Sequence, residues 1–132
     1  MNIIGFVPAR MASSRFPGKP LFPIRERPML EHVFERSRLF GRWDGLYLAT
    51  CDAEIAEIGR AKGYPVVMTA DTHTRALDRV AEAAENCGLG VADDDIVVCV
   101  QGDEPMMRPD MIDAVIKPME DDADVPCTVL AM

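Results

Sequence analysis

The apolar run Ile96-Val97-Val98-Cys99-Val100, framed by Asp95 and Gln101, constrains the fold more than any other feature of the chain. A run this short and this continuous reads as a strand buried on both faces, because a strand with one wet face would alternate apolar and polar residues. Less uniformly apolar runs stand at 2–8 (NIIGFVP), 45–50 (GLYLAT) and 65–69 (PVVMT), and a last one at 125–132. Helical periods lie between them. Leu30, Val33, Phe34, Ser37 and Phe40 mark one buried face, with Glu31, Glu35, Arg36 and Arg38 outside it. Ile55, Ile58 and Ala61 mark a second face, after Asp52 as a candidate cap, and Leu77, Val80, Ala81 and Ala84 a third. A fourth helix is expected over 109–119, with Pro109 at its first turn. Strand and helix thus alternate along the whole chain. The expected fold is α/β: a Rossmann-like three-layer sandwich with a mostly parallel sheet covered on both faces. Ligands in such folds sit outside the carboxyl ends of the strands.

Two segments at strand carboxyl ends stand out. Residues 9–28 show no strand or helix period and are crowded with Arg, Ser, Pro and Gly, so a loop of about twenty residues is expected there. Arg10, Arg15 and Lys19 lie in its first half, with small residues between them. Small residues let backbone N–H groups approach oxygens, Arg offers a planar fork and Lys a point charge, which together suit a polyphosphate. The alternative is a solvated basic surface. The phosphate-loop pattern G-x-x-x-x-G-K-[S/T] is absent, since proline follows Lys19. The second segment is Gln101-Gly102-Asp103-Glu104-Pro105. Asp103 at a strand end facing a basic loop suits Mg²⁺, which takes one or two carboxylates beside substrate phosphates. The competing role for Asp103 is an Asx-turn cap, and Glu104 is a second ligand or a turn residue.

Charge follows the same division. The 132 residues carry a formal net charge of −8. Residues 1–42 hold eight bases and three acids, whereas the remainder holds six bases and nineteen acids. A basic head on an acidic body points to a local anion site, or to solvated helix faces distributed by chance. Bulk nucleic-acid binding is disfavoured by the acidic balance. With 48% hydrophobic and 27% charged residues the chain is expected to be globular, and no apolar run approaches the roughly 18 to 20 residues of a membrane span. The N-terminus lacks a basic, cleavable leader pattern, and Cys51, Cys87, Cys99 and Cys127 form no C-x-x-C pair. Reduced thiols in a cytoplasmic protein are the expectation.

The stretch 8–21 (PARMASSRFPGKPL) together with 101–106 (QGDEPM) resembles the 3-deoxy-manno-octulosonate cytidylyltransferase family, the CMP-Kdo synthetases. Pro28-Met29, Leu30-Glu31-His32-Val33 and Ala49-Thr50 are similar to that family as well. The resemblance implies a fold of the nucleotide-diphospho-sugar transferase type and a reaction in which CMP passes from CTP to a Kdo-type 2-keto-3-deoxy sugar acid, for lipopolysaccharide precursor synthesis. It implies that Arg10, Lys19 and Asp103 are catalytic, with Asp103 holding Mg²⁺. Nucleotide contacts are implied for Ala9, Arg10, Arg15, Gly18, Lys19, His73, Asp78 and Arg79, and a place near the sugar or base for Gln101. A homodimer is also implied. The chain departs from the family where His-x-Ser-Gly-Thr-(Asp/Glu)-Arg is usual: it has His73-Thr74-Arg75-Ala76-Leu77-Asp78-Arg79. It also has Ala70 where the family tends to carry an arginine. These departures bear on base selectivity, and Asp78 and Arg79 have ordinary helix-start electrostatics as their other role. The family's chains are nearly twice as long, so residues 1–132 correspond to the nucleotide-binding half of a cytidylyltransferase-like domain, without the acceptor-binding half. The alternatives are a nucleotidyltransferase for another sugar acid or nucleotide, or a truncated, inactive nucleotide-binding module.

Overall fold

The computed structural model describes residues 2–11, 18–72, 76–88, 90–92, 95–101 and 108–122. Four of the apolar runs form one parallel sheet: β1 (Ile3–Ala9), β4 (Gly45–Thr50), β5 (Val66–Met68) and β6 (Ile96–Cys99), in the order β5-β4-β1-β6. β1 lies between β4 and β6, with Phe6 opposite Tyr47 on one side and Cys99 on the other. Alternate residues of the central strand serve opposite faces, as the two-residue period of a strand requires. Ile3, Val7 and Ala9 join Leu48, Val98 and the apolar faces of α1 (Met29–Arg38), α2 (Ala53–Ala61) and α4 (Pro109–Asp121) in one core. Ile4 and Phe6 join Ala49, Val67, Val80 and Ala83 in a second, under α3 (Ala76–Asn86). The expected three layers are therefore present, and each fully buried Leu, Ile or Phe contributes roughly 1.5–3 kcal/mol through burial. The expected strand at 125–132 lies outside the described residues.

The helix faces are rotated from the expected ones in two cases. In α2 the buried residues are Ile55, Ala56 and Gly59, while Ala61 is exposed. The helix turns Gly59 toward the sheet because it lies so close there that a Cβ would stand 2.6 Å from Leu48 Cδ2. In α3 Val80 and Ala83 are buried but Leu77 is 65% exposed, because the first turn points Arg79 inward instead. α1 carries the expected face, with two additions: Met29 is buried, and Glu31 is buried and paired with Lys62 Nζ at 3.1 Å.

The segment 9–28 is more structured than expected. Lys19–Leu21 form a single 3₁₀ turn, and β2 (Pro23–Ile24) pairs antiparallel with β3 (Arg27–Pro28). Arg25 and Glu26 between them both take positive φ (51° and 68°), the signature of a primed hairpin turn. Asn or Gly normally signals such a turn, so the Arg-Glu pair concealed it. His32 Nε2–H donates to the Ile24 carbonyl (2.6 Å), tying the hairpin to α1.

Candidate active site

The strand order fixes where a ligand belongs. From β1 the chain moves outward to β4 and β5, then crosses back to place β6 on the other side of β1. The order reverses between β1 and β6, and the crevice at their carboxyl ends is the switch point at which open α/β sheets bind ligands. The backbone there is continuous with the sheet, since the Val100 N–H donates to the Phe6 carbonyl (2.9 Å).

The expected residues gather around this crevice to different degrees. Ala9, the last residue of β1, is buried opposite Thr50. Arg10 follows directly and is half-buried. Gly18 takes φ 78°, a left-handed conformation that suits glycine, and its carbonyl accepts the Leu21 N–H (3.0 Å). Lys19 begins the 3₁₀ turn that this bond closes. Gln101 is exposed at the end of the neighbouring strand. Arg15, His73, Asp103 and Glu104 lie outside the described residues. Among the described residues no group of three His, Cys, Asp or Glu could hold a metal ion.

Asp78 and Arg79 have separate positions. Asp78 is exposed in the first turn of α3, where a carboxylate complements the helix dipole. Arg79 is 2% exposed, and its Nη1 donates to Thr69 Oγ1 (2.6 Å) and to the Ala70 carbonyl (3.2 Å). The Ala70 N–H meets the Glu82 carboxylate (3.1 and 3.2 Å). Ala70, where the resembled family tends to carry an arginine, is thus held by α3 through both of its backbone polar groups.

Asp52 stands at the N-cap of α2 as expected and its carbonyl accepts the Ala56 N–H (3.0 Å), but its side chain makes no bond to the first turn. Its Oδ2 instead accepts the Met11 N–H (2.8 Å), across from β4 to the chain leaving β1. The only sign of this in the sequence is a carboxylate just past a strand end. Burial pushes the Cys99 thiol from 9.0 up to about 11, which keeps it protonated near neutrality. Among the described residues Cys51, Cys87 and Cys99 are free thiols. A separate hollow of about 380 Å³, lined by Phe34, Arg38, Trp43 and Leu46 among others, opens at the amino ends of the strands, away from the crevice. No helix among the described residues is long and apolar enough to cross a membrane.

Known proteins share this arrangement. Residues 4–129 match the family model described as "Cytidylyltransferase". The 3-deoxy-manno-octulosonate cytidylyltransferase of Nitratidesulfovibrio vulgaris (strain DP4) is 52% identical over 128 residues, 97% of this chain and 50% of that protein. The 8-amino-3,8-dideoxy-manno-octulosonate cytidylyltransferase of Shewanella loihica (strain ATCC BAA-1088 / PV-4) is 45% identical over 116 residues, 88% of this chain and 46% of that one. A solved CMP:2-keto-3-deoxy-manno-octonic acid synthetase complexed with CTP superposes with a TM-score of 0.86 at 35% identity, covering 96% of this chain and 50% of its own. The chain spans about half the length of the curated relatives it matches. Matched over nearly its whole length in sequence and in fold, the chain belongs to the cytidylyltransferase family.

Proposed function

We propose that the chain forms the nucleotide-binding part of a cytidylyltransferase that moves CMP from CTP to a 2-keto-3-deoxy sugar acid of the manno-octulosonate type. The observation that carries this reading is the β1/β6 switch point, with Arg10 and the Lys19 turn on one side and the strand leading to Asp103 on the other. The acceptor's anomeric hydroxyl oxygen attacks the α-phosphorus of CTP. A new P–O bond forms as the bond to the bridging oxygen breaks, and pyrophosphate departs with that electron pair. The hydroxyl proton leaves to solvent. The protein's part is to hold the triphosphate in line and neutralise charge that builds on its oxygens. This reading assigns the charge neutralisation to Arg10 and Lys19, with the backbone of Ala9 and Gly18 beside the phosphates. Mg²⁺ suits the hard carboxylate of Asp103 and would neutralise charge on the same phosphates. Gln101, exposed at the strand end, is assigned the contact with sugar or base in this reading.

Calorimetric titration with CTP and Mg²⁺ tests the reading. Lys19→Ala should weaken binding by about tenfold or more, the loss expected of a charge-assisted contact. Wild-type protein that fails to bind CTP would overturn the reading. The exposed Leu77, in a row that departs from the family pattern, favours a second reading in which another nucleotide or sugar acid is used. A panel of four nucleoside triphosphates and both octulosonate acceptors separates the two. Use of CTP and the free thiols support a cytoplasmic place of action, and the family resemblance supports a homodimer, which sedimentation of the protein tests.

A further inference from the structure

Met11 has both of its backbone polar groups engaged. Its N–H, which belongs to the Arg10–Met11 peptide, donates to Asp52 Oδ2 (2.8 Å), and its carbonyl accepts the Gly18 N–H (2.8 Å). One residue therefore joins the end of β4, the point where the chain leaves β1, and the point where it enters the 3₁₀ turn at Lys19. The residues flanking this junction are Arg10 on the outgoing side and Gly18-Lys19 on the returning side.

We propose that Asp52 is a positioning residue for phosphate binding: by holding Met11 it fixes the backbone from which Arg10 and Lys19 extend. The inference rests on the nucleotide reading given above and adds a residue to it. Asp52 is itself held for this task. Its N–H donates to the fully buried Thr50 Oγ1 (3.1 Å), and its carbonyl accepts the Ala56 N–H (3.0 Å) that starts α2. With its backbone fixed on both sides, the side chain stays aimed across the sheet. An ionised carboxylate only accepts hydrogen bonds, so it binds the Met11 N–H strongly without adding a donor to the anion site. Its charge would repel a triphosphate, which makes direct contact with the ligand unfavourable. Its role is instead to supply geometry, and small displacements of phosphate-binding groups weaken binding steeply.

Three proteins decide the question: wild type, Asp52→Ala and Asp52→Asn. The asparagine variant keeps an oxygen that can accept the Met11 N–H and loses only the charge. Amide hydrogen exchange is read by NMR without nucleotide, and CTP affinity by calorimetry with Mg²⁺. Asp52→Ala should raise exchange at Met11 and Gly18 by about tenfold and weaken CTP binding by a similar factor, the effect of removing one charge-assisted hydrogen bond. Protection at Leu48 and Val100, whose N–H groups bond Pro65 and Phe6 in the sheet, should persist, which shows that the fold is intact. Asp52→Asn should stay within about twofold of wild type in both measurements. Unchanged CTP affinity in Asp52→Ala would overturn the proposal. So would equal losses in the two variants, since these would assign the effect to charge. If wild type binds no CTP, the nucleotide reading fails and the phosphate role of Asp52 fails with it. The exchange data then still report whether the Met11 junction depends on Asp52.

Discussion

Arg79 illustrates how one side chain can carry a familiar motif and a structural duty together. Its guanidinium is buried and holds Thr69 and Ala70, the residues that lead from β5 toward α3. Arg79→Met keeps the length of the side chain but removes both hydrogen bonds, leaving the Thr69 hydroxyl and Ala70 carbonyl without them. Urea unfolding should show a loss of about 2 to 3 kcal/mol, the range for buried bonds to a charged group. At this scale the sequence was informative about residue types and uninformative about direction. The place of Arg10, Gly18 and Lys19 after a buried strand was enough to set them at the carboxyl end of β1, where Gly18 bonds back to Met11. The inward turn of Arg79 and the reach of Asp52 to Met11 depend on partners distant in sequence, and no local pattern encodes them.

Among the elements, the four helices and the strands of the main sheet followed from apolar periodicity, and the errors were rotations of a face. Those rotations have specific causes. α2 turns its glycine toward β4, since only a residue without a side chain fits where Leu48 Cδ2 and Val66 Cγ2 would stand 2.6 and 3.0 Å from a Cβ. A glycine within a helix reads from sequence as a weak point costing roughly 1 kcal/mol against alanine, not as a contact surface. Gly59→Val should therefore destabilise the protein by about 1–3 kcal/mol through overpacking, measured as a shift in urea midpoint. Gly59→Ala should come out closer to neutral, because the gain in helix propensity offsets part of the clash. The β2–β3 hairpin was hidden for a different reason: its Arg25-Glu26 turn pays the steric cost of positive φ without the glycine or asparagine that would announce it.

For the molecule as a whole, the sheet order was legible only as a class. Alternation of strands and helices implied a parallel sheet, but which strand lay beside which came from long-range pairing. Asp95 is one of the residues that fixes it. Its carboxylate accepts the Asn2 N–H (2.8 Å), 93 residues away, and the Ala92 N–H (2.8 Å). These bonds, that from Ala92 being the larger influence, pull its pKa below the usual 3.8. A lowered folded-state value means that the stabilisation is present above pH 3.8 and is lost as pH falls through the folded value. Urea midpoints measured from pH 6 down to pH 3 should fall less steeply for Asp95→Asn than for wild type, since asparagine does not titrate. The central place of β1 has a further consequence for how the chain reaches this state. Ile3 meets Asp44 across 41 residues and Asn2 meets Asp95 across 93. During synthesis β1 precedes both of its neighbours, so one of its edges stays unpaired until β6 has left the ribosome. Closing loops of that size precedes any gain from pairing, so the pairing of β1 with β6 should be a slow step, and β1 should be the segment a chaperone shields while it waits.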